Sequence, residues 1–416
     1  MKPRKGKPLA SARPHGGATA GTRTSNAKRI GHAKGIGQVK RIDHVKRIRH
    51  DKRKDMKAIL MARPEKGGIE FTEKAEVPKP GFGEVLIRVK ATGMCGTDRH
   101  IYDWDPSIRD MVKPPMIFGH EFCGEIAELG KETNGSLKVG DFVSCEMHEV
   151  CGRCYQCRTG QGHLCPNTAI YGVHKPGCFA EYVKVPASNV IHLPKNLPIK
   201  VGAFLDALGN AVHTAMATDI PGRNIAITGY GPIGAMAAAV VEFCGAGSIT
   251  IADVNPLALE RAESWKKSLP ERRKPESIRI VSMNIDNRET SMRRTVEETN
   301  GGVDAVLEMS GAERAINDAL RFTRNGGEVV LLGLPSGRGV NLENYKQDII
   351  FRGIKLHGII GRKMYDTWYR MLALLGAGLQ IEHVVTTESS FADCEEAFHL
   401  FSQGKTLKVV MYPNGK

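Results

Sequence analysis

Cys95, Thr97 and His100 fall within six positions of one another in the stretch "CGTDRHIYDWD" (95–105), on what reads as a strand-to-helix turn. A thiolate is a soft metal ligand, a hydroxyl can hydrogen-bond a reacting oxygen, and an imidazole, with an ordinary pKa of about 6.5, exchanges protons near neutrality. The chemistry open to such a trio is metal-assisted activation of an alcohol, with a path along which its proton leaves. "GHEFCGEI" adds adjacent His120 and Glu121 on a turn entering a strand. Cys95, His120 and Glu121 make a mixed S/N/O set of three zinc ligands, which leaves a fourth position for water or a substrate oxygen. Each segment alone is equally a capping hydroxyl, a surface imidazole or a solvated His-Glu turn, so the reading depends on what accompanies them.

Two further motifs do. "CGRCYQCRTGQGHLC" spaces Cys151, Cys154, Cys157 and Cys165 as C-x2-C-x2-C-x7-C. Four thiolates close a tetrahedron around one zinc and leave no open position, so that site is structural. An iron–sulfur cluster is the competing occupant, but a second, proline-flanked cysteine run for a partner cluster is missing from the sequence. "ITGYGPIGAMAAAV" is G-x-G-x-x-G on Gly229, Gly231 and Gly234, after an apolar strand and at the start of an alanine-rich helix. Asp253 ends the next apolar strand 19 residues on. The glycines allow a tight turn and close approach of a pyrophosphate to the helix N-terminus, and the carboxylate suits ribose hydroxyls. Asp253 would repel a 2′-phosphate, so NAD is expected rather than NADP.

The elements that position these residues divide into two textures. From Met56 to about Phe204, short β segments such as "EVLIRVKATG" and "FAEYVKVP" are separated by Gly and Pro, the pattern of a β-rich, partly barrel-like domain. Near residue 206 the pattern becomes alternating strands ("NIAITG", "SITIAD", "VDAVLEMSG", "GGEVVLLG") and helices. That is the βαβ rhythm of a parallel sheet covered on both faces. A last stretch reads as two helices and a strand, "KTLKVVMYP", returning to the first domain. The expected architecture is α/β, with a Rossmann-type doubly wound domain beside a β-rich catalytic domain. Its segments are 56–205, 206–358 and a C-terminal return at 359–416.

The net charge of +14 is confined to residues 1–55, which hold seventeen Lys/Arg against three Asp/Glu. The remaining 361 residues balance at 42 of each sign, so the basic pI describes the extension and says little about the body. Four hexapeptides run in tandem there, "RIGHAK", "GIGQVK", "RIDHVK" and "RIRHDK", with isoleucine at neither helical nor strand spacing. Disorder is expected. A nucleic-acid or membrane-surface arm and a targeting peptide compete with sequence that has no function of its own. The last is preferred, the folded protein beginning at Met56, because Pro3, Pro8 and Pro14 spoil an amphipathic helix. A membrane-spanning run of 18 apolar residues is absent from the sequence. Four of the ten cysteines are bunched within fifteen positions, which favours metal over disulfides and a reducing, cytoplasmic compartment.

The order Cys-Gly-Thr-Asp-x-His, Gly-His-Glu, four-cysteine lobe and G-x-G-x-x-G resembles the medium-chain zinc-dependent alcohol dehydrogenases over about residues 56–416. Within them it is most similar to the L-threonine 3-dehydrogenase branch, through "CGTDRHIYDWD", "KPGCFAEYVKVP", "GNAVHTA", "LEMSGA" and "GRKMYDTWYRM". The resemblance implies a GroES-like catalytic domain, NAD, two zinc ions per chain and a homotetramer. It implies oxidation of L-threonine at C3 to 2-amino-3-oxobutanoate, a polyol, butanediol or sugar being the alternative substrate. It makes Cys95, His120 and Glu121 the catalytic zinc ligands, Thr97 and His100 the proton relay, and Asp206 an acidic residue beside the metal. Ile233, Asp253, Leu332, Gly333, Leu334, Ile359 and Ile360 fall where the family contacts NAD. Two features depart from the family: Ala258 stands where an arginine usually flanks the ribose, and 264–277 is a longer, more basic connection. Trp104, Asp105 and Arg362 lie in matched segments, where a substrate contact and ordinary packing or salt bridging compete.

Overall fold

The computed structural model describes residues 54–416 except 134, 271–274, 336, 338 and 416. The basic extension therefore lies almost wholly outside the described residues, as does the middle of the 264–277 connection.

Residues Glu84–Gly93 ("EVLIRVKATG") alternate branched apolar with polar side chains and form the central strand of the first sheet. Across that sheet run Val190–His192, Phe142–Cys145, Glu121–Leu129, Glu84–Gly93, Lys408–Tyr412 and Val385–Ser390, with Tyr182–Pro186 also paired to the central strand. Two pairings fix the site. Gly93 stands opposite Glu121 on one side and opposite Val410 on the other. The last strand of the chain is thereby brought beside Cys95 and Glu121, although some three hundred residues separate them in sequence.

The second sheet is wholly parallel, with six strands in the order Ile278–Ser282, Ser248–Asp253, Asn224–Thr228, Val303–Glu308, Thr323–Leu331, Lys355–Gly358. Strand order reverses at Asn224–Thr228, the switch point outside which doubly wound sheets bind ligands. The apolar strands expected from sequence are all present. Two edge strands, Ile278–Ser282 and Lys355–Gly358, and the strand Val385–Ser390 were not anticipated; the first two are short and the last two are half-exposed, so they lack the apolar run that marks a central strand.

The helix Leu205–Ala215 joins the two parts. Ten of its eleven residues are buried, as expected of a helix packed on every side. One continuous apolar core takes in this helix, Ala91 and Cys123 of the first sheet, and the inner face of the second. Asp206 rides in its first turn and so has a fixed place between the two sheets. Among the described residues no helix is long and apolar enough to cross a membrane.

Candidate active site

Cys95 ends the turn after the central strand and is the N-cap of the helix Gly96–Tyr102. Its backbone N–H donates to Asp98 Oδ2 at 2.8 Å, which fixes the turn. His120 and Glu121 open the neighbouring strand and are 5% and 1% exposed. Ligand atoms of Cys95, His120 and Glu121 all lie within 4.8 Å of one another. Gly93 makes this approach possible: a Cβ there would sit 2.6 Å from Glu121 Oε2.

The donor set fits a cation. His120 Nδ1 is 3.6 Å from the buried Asp98 Oδ1, which leaves Nε2 as the nitrogen available to a metal. Burial pulls the His120 imidazole down, but the Asp98 carboxylate and Cys95 thiolate outweigh it and raise it to about 10. Burial lifts Asp98 itself to about 6, with the His120 charge acting against that. Glu121 Oε1 is buried without a hydrogen bond, while Oε2 lies 2.5 Å from Lys408 Nζ. A pocket that buries carboxylates with bare acceptor atoms beside a half-buried thiol calls for positive charge, and the three ligands suit zinc with one position open.

Thr97 and His100 share a helix face at i, i+3. Thr97 is half-buried. His100 is exposed, and its Nδ1 lies 3.3 Å from Asp105 Oδ2. The pair thus runs from a half-buried position to an exposed one. Asp105 also accepts from Ser107 N, and the Ser107 hydroxyl and then this N–H lead the effects that hold its carboxyl down at about 2. Asp206 is buried in reach of His120, whose charge it helps to stabilise.

The four-cysteine lobe is preformed. Cys154 Sγ lies 3.4 Å from Cys157 Sγ and 3.7 Å from Cys165 Sγ, which is 3.6 Å from Cys151 Sγ. These are far too long for disulfides, but the edge of a tetrahedron with Zn–S near 2.3 Å is about 3.8 Å. Backbone N–H groups of Arg153 and Cys154 pull the Cys151 thiol down to about 6, toward the thiolate a metal takes.

The glycine turn has the form a dinucleotide needs. Gly229 has φ 91°, and a Cβ on Gly234 would overlap the Gly229 carbonyl. Gly231 caps the helix Pro232–Phe243, leaving that N-terminus open. Asp253 Oδ2 accepts from Tyr230 N at 2.6 Å, so the carboxylate stands against the loop. Leu332, Gly333 and Leu334 follow the strand Thr323–Leu331, and Ile359 and Ile360 follow Lys355–Gly358, on the same edge. Leu334 and Ile360 are 83% and 54% exposed, and Ile233 packs at the margin of the core. Ala258 lies in the first turn of the helix Pro256–Ser268 and is buried against the core. G234V is expected to raise the Michaelis constant for NAD about tenfold or more at unchanged zinc content, as measured by initial rates and metal analysis.

Three carriers of the site escaped the sequence reading. Asp98 was visible inside "CGTD", but its role depends on burial. Lys408 comes from the last strand and Glu146 from the turn after Phe142–Cys145, and neither carried a local signal. Arg362 is buried between Glu146 and Asp206, and Asp105 is engaged with His100 and Ser107. Trp104 packs partly buried against the catalytic-domain core.

Comparison with known proteins bears on the family and the fold. Residues 81–195 match the alcohol dehydrogenase GroES-like domain, and residues 232–377 match the zinc-binding dehydrogenase model. The L-threonine 3-dehydrogenase of Legionella pneumophila (strain Corby) is 42% identical over 356 residues, 86% of this chain and 99% of the relative. The chain belongs to the zinc-dependent medium-chain alcohol dehydrogenases. The L-threonine 3-dehydrogenase of Rhizobium rhizogenes is 40% identical over 357 residues, again 86% of this chain and 98% of the relative. Among solved members of the medium-chain family, 2R,3R-butanediol dehydrogenase from Bacillus subtilis superposes with a TM-score of 0.75 at 26% identity, covering 86% of this chain and 100% of its own. A Sinorhizobium meliloti zinc-binding dehydrogenase bound to NADP gives 0.73 at 26% identity over 87% of this chain and 100% of its own.

Proposed function

We propose that this protein oxidises L-threonine at C3 to 2-amino-3-oxobutanoate, with zinc at Cys95, His120 and Glu121 and with NAD as the acceptor. The observation that carries the substrate is the match to L-threonine 3-dehydrogenases along 99% of a relative's length at 42% identity. The buried three-ligand set and the glycine turn support the chemistry. When bound, the zinc polarises an alcohol oxygen and the NAD supplies a hydride acceptor.

The chain's own residues supply the rest. Thr97 Oγ1 hydrogen-bonds the substrate hydroxyl and relays its proton, giving up its own as it takes the substrate's, and His100 accepts the relayed proton and releases it to solvent from the exposed end of the same helix face. Asp253, pinned against the glycine loop, receives ribose hydroxyls, and its charge favours NAD over the phosphorylated cofactor. Cys151, Cys154, Cys157 and Cys165 hold a second zinc with a structural role. The exposed edge strand Lys355–Gly358 suits pairing with a second copy, in keeping with a homotetramer. Cysteines gathered into metal-ligand sets, Cys95 in one and Cys151, Cys154, Cys157 and Cys165 in the other, suit a reducing cytoplasm.

The test is cofactor reduction by the zinc-loaded protein with L-threonine, sorbitol, 2,3-butanediol and glucose at matched concentrations. A kcat/KM for threonine about 100-fold above the others is expected; activity confined to a polyol or sugar would overturn the substrate. His100→Ala should lower turnover most at low pH, where solvent is the poorer proton acceptor, with zinc still bound. An unaltered pH–rate profile would remove His100 from the relay.

A further inference from the structure

Arg362 is 3% exposed and lies at the meeting point of three parts of the chain. Its Nη2 donates to Glu146 Oε1 at 2.6 Å, and Asp206 Oδ1 lies 2.6 Å from the same nitrogen. The two contacts differ. Glu146 is saturated: Oε1 also accepts from His148 N at 3.1 Å and lies 2.7 Å from His148 Nδ1, and Oε2 accepts from Trp368 Nε1 at 2.9 Å. Its backbone is tied as well, Glu146 N donating to Asn189 O and Asn189 Nδ2 to Glu146 O. Asp206 Oδ1, by contrast, pairs with Arg362 by charge without hydrogen-bond alignment. That charge contact holds the Asp206 carboxylate on the first turn of the helix Leu205–Ala215.

Gly209, one helical turn after Asp206, is what lets the arginine through. A Cβ there would sit 2.8 Å from Arg362 Cδ. The Trp368 ring backs the guanidinium at 5.5 Å. The segments "GNAVHTA" and "GRKMYDTWYRM" thus meet at one contact. Glu146, in turn, stands five residues before Cys151, joined to it through the strand His148–Glu149.

We infer that Arg362 is a positioning residue for Asp206: Glu146, anchored at the root of the four-cysteine lobe, fixes the guanidinium, and the guanidinium fixes the Asp206 carboxylate beside the metal centre. A misplaced group near reacting atoms costs about 100-fold in rate even when the fold survives. The inference rests on the proposed metal centre and is independent of which alcohol is oxidised.

The test is a double-mutant cycle on turnover, run on zinc-loaded protein with whichever alcohol the wild type oxidises fastest. D206N and R362M are each expected to lower kcat about 30- to 100-fold, with the substrate KM changed less than about threefold and two zinc ions retained. If Arg362 acts through Asp206, D206N/R362M falls within about threefold of D206N alone. R362K, which keeps a cation in reach of Glu146, should recover part of the loss. A multiplicative loss in the double variant, or an R362M kcat equal to wild type, would overturn the inference. Should R362M fail to fold, G209A and D206N/G209A form the same cycle, because the added methyl displaces the arginine and leaves every charge in place. A wild type that ignores threonine but oxidises another alcohol would overturn the proposed substrate and leave this cycle to be read as stated.

Discussion

Cys95→Ser is expected to lower turnover by a factor of about 1000 or more and to take the zinc content from two ions per chain to one. Serine's hydroxyl is not ionised near neutral pH, so it replaces a thiolate with a poor zinc ligand. The remaining pair cannot compensate, since Glu121 Oε2 is already drawn to Lys408 at 2.5 Å. The fold should survive. Cys95 is a helix N-cap, a position that serine fills well, and the bond from its backbone N–H to Asp98 needs no particular side chain. Metal analysis, turnover and near-UV circular dichroism on one preparation check all three parts. Two zinc ions retained with activity lost would place the cysteine outside the metal centre.

Cys154→Ser is the complementary case. Cys154 Sγ touches both Cys157 and Cys165 at 3.4 and 3.7 Å, so its loss removes one corner of the tetrahedron. Structural zinc sites of this kind supply of the order of 10 kcal/mol in small peptides. The lobe offers little to replace that: its two short helical turns, Tyr155–Arg158 and Gly162–Leu164, bury no residue. One zinc per chain, rapid proteolysis between residues 150 and 166, and a melting temperature lower by about 10 °C are expected. Turnover should also fall, because Glu146 at the root of the lobe anchors Arg362 against Asp206. Melting temperature and protease sensitivity equal to wild type would mean that the four thiols hold no structural metal.

What could be read from sequence was local. Cys151, Cys154, Cys157 and Cys165 form a site within fifteen positions, and the glycine turn with Asp253 spans a single βαβ unit. The catalytic triplet was reachable because thiol, imidazole and carboxylate are scarce enough for their types alone to suggest a metal. Lys408 and Glu146 were not reachable in that way, and of Arg362 only the segment was. Lys408 holds the carbonyl of Met94 across 314 positions, and only the pairing of the last strand with the central one brings it there. A lysine on a strand and an arginine before a helix ordinarily face water; these are buried because carboxylates await them. Asp98 lies between the cases. Its place in "CGTD" was on the page, but its action on His120 follows from complete burial, a property of the packed sheet.

The central claim is that a hydrogen leaves C3 of threonine as a hydride and is taken up by NAD. Incubation of the zinc-loaded protein with NAD and L-threonine deuterated at C3, followed by mass analysis of the reduced cofactor, tests it directly. One deuterium in each reduced cofactor is expected, and none when Cys95→Ser replaces the wild type. Unlabelled reduced cofactor, or no reduction with threonine while another alcohol is oxidised, would contradict it.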